Sequence, residues 1–133
     1  MNLGNPFRKG TILIPTGPCN HLHIICNNPV FYPKLAKECV LAVNISTVTT
    51  DIPYDISCVL NTGDHPFINR QSYVYYRKAD IFGATAVAKN VADGSFTTHQ
   101  PIDDTVFSKV LLGFSISDEV TPKIRQFYKN YCI

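Results

Sequence analysis

The run CVLAVNISTV, Cys39 to Val48, constrains the fold most, because it is the most apolar stretch of the chain and is rich in β-branched residues. It is far shorter than the ~18 residues a membrane-spanning helix needs, so it reads as a central β-strand, with TTDIPYD as its polar exit. Around it lie other short β-branched or alternating runs, separated by turn-forming clusters, the pattern of a small barrel or sandwich. GTILIP (Gly10 to Pro15) is the first strand, TGP breaks it, and HLHIIC (His21 to Cys26) is the second, ended by NNP. SCVLNTGDHPFI begins as a strand and turns at NTGD, and SYVYYRKADIF (Ser72 to Phe82) is read as one further strand. Gly83 to Asp104 is expected to be a long loop or hairpin, and VFSKVLLGFS is an apolar run of either type.

The last segment, SISDEVTPKIRQFYKNYCI, is read as a helix, since acidic residues precede basic ones and Ile124, Phe127, Tyr128 and Tyr131 share a face. Either Ser117 caps it, or Thr121 does with Pro122 at the first helical position. At 133 residues the chain fits a single domain, 1–133, with its own core. A formal net charge of +2 is too small for a dedicated duplex-DNA binder but leaves room for a local patch serving single-stranded RNA. The leading MNLGNPFRKG lacks the apolar region of an export signal, so a cytoplasmic location is expected and the five cysteines are expected to be mostly or wholly reduced.

PCNHLHIIC holds two cysteines and two histidines in nine residues. Strand alternation sets Cys19, His21 and His23 on one face and Cys26 on the other, and C-x-H-x-H-x-x-C matches no structural zinc spacing, so no metal is expected here. Histidine suits proton transfer near neutral pH, which makes His21 and His23 candidates for acid/base work. Ser46 and Thr47 close the apolar strand, where their hydroxyls either contact a substrate phosphate or satisfy backbone groups. His65, in the GDHPFI turn, is either a loop-borne site residue or a surface turn histidine. Tyr73, Tyr75 and Tyr76 offer rings on both faces of one strand for base stacking, with Arg77 and Lys78 nearby for phosphates; the competing reading is core and dimer-interface packing, above all for Tyr73 and Val74.

Taken in order, KGTILIP, HLHIICNNP, VLAVNISTV, SYVYYRKADIF and LLGFSISDEVTPKI resemble the strands and helix start of the MazF/PemK/Kid toxins. That resemblance implies a mainly β, SH3-like barrel with a C-terminal helix and a toxin of a toxin–antitoxin system. It further implies a metal-independent endoribonuclease acting on single-stranded RNA without a cofactor, a homodimer, and a cognate antitoxin as partner, with no membrane. The family's Arg-Pro is replaced by His21 and Leu22, and its Thr/Ser position falls on Ser46 and Thr47. His21 and Ser46 are therefore the first candidates for chemistry, followed by His23, Thr47 and His65, with Arg77, Lys78, Tyr75 and Tyr76 for substrate. The replaced arginine also admits a different class, a non-catalytic barrel that binds a protein target.

Overall fold

A computed structural model describes residues 6–132. The leading MNLGN, part of the segment read as lacking an export signal, lies outside the described residues. The described residues form mostly antiparallel sheet with three α-helices, one of them C-terminal. The strands are β1 (Thr11–Thr16), β2 (Cys19–Ile25), β3 (Val30–Tyr32), β4 (Lys37–Thr47), β5 (Val59–Leu60), β6 (Ser72–Val74), β7 (Asp80–Gly83) and β8 (Thr97–His99). The helices are α1 (Ala84–Ala92), α2 (Asp104–Ile116) and α3 (Pro122–Tyr131). None of the described helices is long and apolar enough to cross a membrane.

As its composition foretells, β4 is the centre of the sheet. It pairs with β3 and β7 near its start, with β2 at Ala42 to Asn44, and with β6 at Ile45 to Thr47. The strand order runs β5-β6-β4-β2-β1-β8. No ladder joins β5 to β8 among the described residues, so the sheet is open in its backbone pairing. Its two ends are instead tied by a side chain: His65, in the turn after β5, donates from Nε2 to the carbonyl of Gln100, just past β8, at 2.7 Å.

The inner face of the sheet carries Leu22, Ile24, Leu41 and Val43 against Phe114 of α2 and Phe127 of α3. The outer face carries a second, smaller cluster, Ile12, Ile25, Val40 and Ala42, covered by Ala84 and Val87 of α1. Burial on both faces explains why β4 reads as a continuous apolar run and not an alternating one.

Two expectations need correction, and two open alternatives are resolved. SYVYYRKADIF is not one strand: β6 ends at Val74, a 3₁₀ turn takes up Tyr76–Lys78, and β7 starts at Asp80. The break follows Tyr76, whose ring enters the core and whose hydroxyl donates to the carbonyl of Val110 at 2.7 Å. The segment 83–104 is not a loop; its alanine-rich start forms α1, because alanine has the best helix propensity and Val87 supplies a buried anchor. The ambiguous VFSKVLLGFS lies in α2, capped by Asp103, whose carboxylate accepts from the backbone N–H of Val106 at 2.9 Å. For α3 the Thr121 cap with Pro122 is the one used, while Ser117 instead ends α2.

Candidate functional site

Strand alternation and register build one polar half-face. On the outer face of β4 the side chains run Val40, Ala42, Asn44, Ser46, so the apolar cluster gives way to polar groups beyond the reach of α1. In β2 the matching change is from Ile25 to His23 and His21. His23 lies opposite Asn44 in the β2–β4 ladder, and continuing that register by two residues sets His21 opposite Ser46. Ser46 in turn lies opposite Tyr73 of β6, and the N–H of Tyr75 donates to the carbonyl of Asn44 at 2.9 Å. Two rows therefore cross the sheet, His21–Ser46–Tyr73 and His23–Asn44–Tyr75.

An open cleft of about 490 Å³ runs along the first row. His21, Ser46, Thr47 and Cys19 line it, together with Phe67 and Arg70 from the segment that precedes β6. Arg70 forms no ion pair among the described residues, so its guanidinium is available to an anion in the cleft. The Nδ1 atom of His21 is buried and has no hydrogen-bond partner among the described residues. Such an atom costs about 1–3 kcal/mol if left unsatisfied.

His23 is oriented differently. Its Nδ1 lies 3.0 Å from the carbonyl of His21, which makes Nδ1 the donor and leaves Nε2 as an acceptor. Burial lowers its pKa; the nearby His21 ring adds to this, and the bond to the His21 carbonyl opposes it. His21, His23, Thr16, Asn44 and Lys78 surround a smaller hollow of about 150 Å³ that adjoins the cleft through His21.

The other candidates lie elsewhere. His65 is buried, and both its ring nitrogens are engaged: Nδ1 accepts from the N–H of Phe67 at 3.1 Å and Nε2 donates to Gln100. Its ring packs against His99, with centroids 4.8 Å apart, and burial lowers its pKa. Here it serves as a clasp that sets the position of Phe67 at the cleft wall. Tyr76, read as a stacking surface, is fully buried and offers no ring to a base. Arg77 is paired with Glu119 at 3.0 Å, and Lys78 sits over the ring of Tyr75 at 5.2 Å.

Arg8 and Lys9, the other cations near the first strand, are engaged. Arg8 donates to the carbonyl of Cys26, and Lys9 pairs with Asp104. All five cysteines are free, and only Cys19 is exposed. Burial raises the pKa of Cys26, Cys39 and Cys58, and pushes that of Cys132 up to about 12. Among the described residues no group of three His, Cys, Asp or Glu side chains is placed to hold a metal ion.

Arg70 and Asn44 are the site residues that sequence reasoning missed. Arg70 sits in an unpatterned stretch, INRQ, and only the fold carries it to the cleft. Asn44 carried a signal, a lone amide inside an apolar run. Comparison with protein-family models, with curated proteins and with solved structures gave no match.

Proposed function

We propose that this chain is a metal-independent endoribonuclease that cuts single-stranded RNA, acting as the toxin of a toxin–antitoxin pair. The observation that carries the reading is the meeting of His21, Ser46, Thr47 and Arg70 in one cleft. Cleavage within the chain of RNA needs a base at the ribose 2′-hydroxyl, an acid at the leaving 5′-oxygen, and donors around the phosphate. His23, neutral and with Nε2 free to accept, takes the 2′-hydroxyl proton as that oxygen attacks phosphorus. His21 gives a proton to the departing 5′-oxygen, leaving a 2′,3′-cyclic phosphate and a 5′-hydroxyl. Ser46 and Thr47 donate to the phosphate oxygens. Arg70 supplies the fixed charge and paired N–H groups that an imidazole at position 21 lacks.

In this reading the fold is an SH3-like barrel closed through the His65 clasp instead of a ladder. The resemblance adds a homodimer, a cognate antitoxin and a cytoplasmic site of action. The test is incubation of the purified protein with RNAs of varied sequence in the presence of chelator. Cleavage is expected to fall by about 10²-fold or more in His21→Ala. No cleavage, or cleavage indifferent to His21, overturns the reading. Toxicity on expression that persists in His21→Ala without RNA cleavage supports the non-catalytic, protein-binding barrel instead.

A further inference from the structure

A second hollow, of about 310 Å³, lies beside the cleft and is lined by Tyr54, Tyr73, Tyr75, Arg77, Glu119 and Asp55, with Pro53 at its edge. Its floor is an aromatic series: the Tyr73 ring lies 5.2 Å from that of Tyr54 and 5.3 Å from that of Tyr75. All three rings are half-buried, and Lys78 lies over that of Tyr75. Val74 and Tyr76, the alternate positions, go to the core, which leaves Tyr73 and Tyr75 to point outward together.

The polar rim is divided between committed and available groups. Asp55 is committed: its carboxylate accepts from the Ser57 hydroxyl at 2.6 Å, the Ser57 N–H at 2.9 Å and the Ser117 hydroxyl at 2.5 Å. Arg77 Nε meets Glu119 Oε1 at 3.0 Å, and no other side-chain hydrogen bond or ion pair engages either group among the described residues. A flat ring stacked on the tyrosines thus meets a carboxylate acceptor and a guanidinium donor side by side.

We propose that this hollow reads a guanine base of single-stranded RNA, an inference that rests on the RNA-cleaving reading for its choice of ligand. Guanine offers two adjacent donors, N1–H and the N2 amino group, that suit a carboxylate, and two acceptors, O6 and N7, that suit an arginine. Cytosine and adenine each offer one amino group to the carboxylate, and uracil offers a single N–H. Unstacked RNA bases are bound in this way, on aromatic faces with hydrogen bonds to their edges. The distance fits as well. Ser46 and Tyr73 are cross-strand neighbours, and His21 is one strand further, so the tyrosine platform is about 10 Å from His21. A phosphate held at His21 and Ser46 therefore has the base of an adjoining nucleotide over Tyr73.

The experiment uses the full chain and four uncleavable 2′-O-methyl oligomers, oligouridine itself and the same oligomer with one central G, A or C, with binding read by fluorescence anisotropy. The G oligomer is expected to bind about tenfold tighter than the others. That preference is expected to vanish in Glu119→Gln, while Tyr73→Ala weakens all four. Equal affinity across the four, or no binding to any, overturns the guanine inference. The outcome is independent of catalysis. Guanine preference without RNA cleavage removes the nuclease reading and leaves this one standing; cleavage without guanine preference does the reverse.

Discussion

Gly113→Ala tests the packing that holds the tyrosine platform. Gly113 lies in α2 directly against Tyr76, and a Cβ added there would sit 2.9 Å from Cε2 of that ring and closer still to Cζ and Oη. Tyr76 cannot swing aside cheaply, because it is fully buried and its ring meets Phe114 edge-on at 4.9 Å. Forcing the ring off its place costs about 1–3 kcal/mol as overpacking. Separating its hydroxyl from the Val110 carbonyl adds about 0.5–1.5 kcal/mol. Alanine returns about 1 kcal/mol through its better helix propensity, so the net loss is about 2 kcal/mol. With a urea dependence of about 2 kcal/mol per molar for a domain of this size, the unfolding midpoint should fall by roughly 1 M. In a Tyr76→Leu background the ring is gone, and the same glycine substitution should cost little, revealing a coupling of about 1–2 kcal/mol between the two positions. If Gly113→Ala is neutral or stabilising with Tyr76 intact, the close approach of α2 to that ring is wrong. The position of Tyr75, one residue away, loses its support with it.

Two further outcomes follow from the clasp and the thiols. His65 and His23 both have folded pKa values lowered from the ordinary 6.5, so below that pH the unfolded chain takes up protons more readily than the folded one. Stability should therefore decline as pH falls from about 7.5 to 5, and His65→Gln should flatten the decline while keeping a donor for the Gln100 carbonyl; a urea midpoint that rises or stays level over this range refutes it. A thiol reagent should label the native protein at Cys19 alone, the other four being buried, and because Cys19 lines the cleft, a bulky label there should block RNA cleavage. Labelling of more than one thiol under native conditions, or full activity after modification of Cys19, contradicts the geometry.

Legibility in the sequence followed the range of the forces involved. β1, β2 and β4 were readable because β-branched residues and turn punctuation act within a few positions, and α3 was readable because its cap, proline and charge order are local too. The tyrosine-rich stretch was misread because nothing local marks Tyr76 for the core; its burial depends on Gly113, 37 positions away. α1 is masked in the sequence because the turn residues after it, DGS, outweigh an alanine-rich start whose anchor, Val87, packs in one cluster with distant Val40 and Ala42. For the site, alternation alone placed His21 and His23 on one face. The register that adds Ser46, and the turn that brings in Arg70, are tertiary facts with no local mark.

The border between core and candidate site is drawn by one short helix. α1 covers the outer sheet face over Val40, Ala42 and Ile25, and those positions are apolar. Two residues further along each strand the cover ends, and the same face changes to Asn44, Ser46, His23 and His21. A sheet whose second face had to be wholly dry would continue the apolar pattern, as β4 does without interruption on its inner side through Leu41, Val43 and Ile45. Polar residues are retained only where the helix stops, and there they include a buried ring nitrogen with no partner among the described residues. Folding gains nothing from that arrangement, since an unsatisfied group in a half-buried row is a cost. The same side chains line the open cleft together with Arg70, where the proposed RNA phosphate would lie.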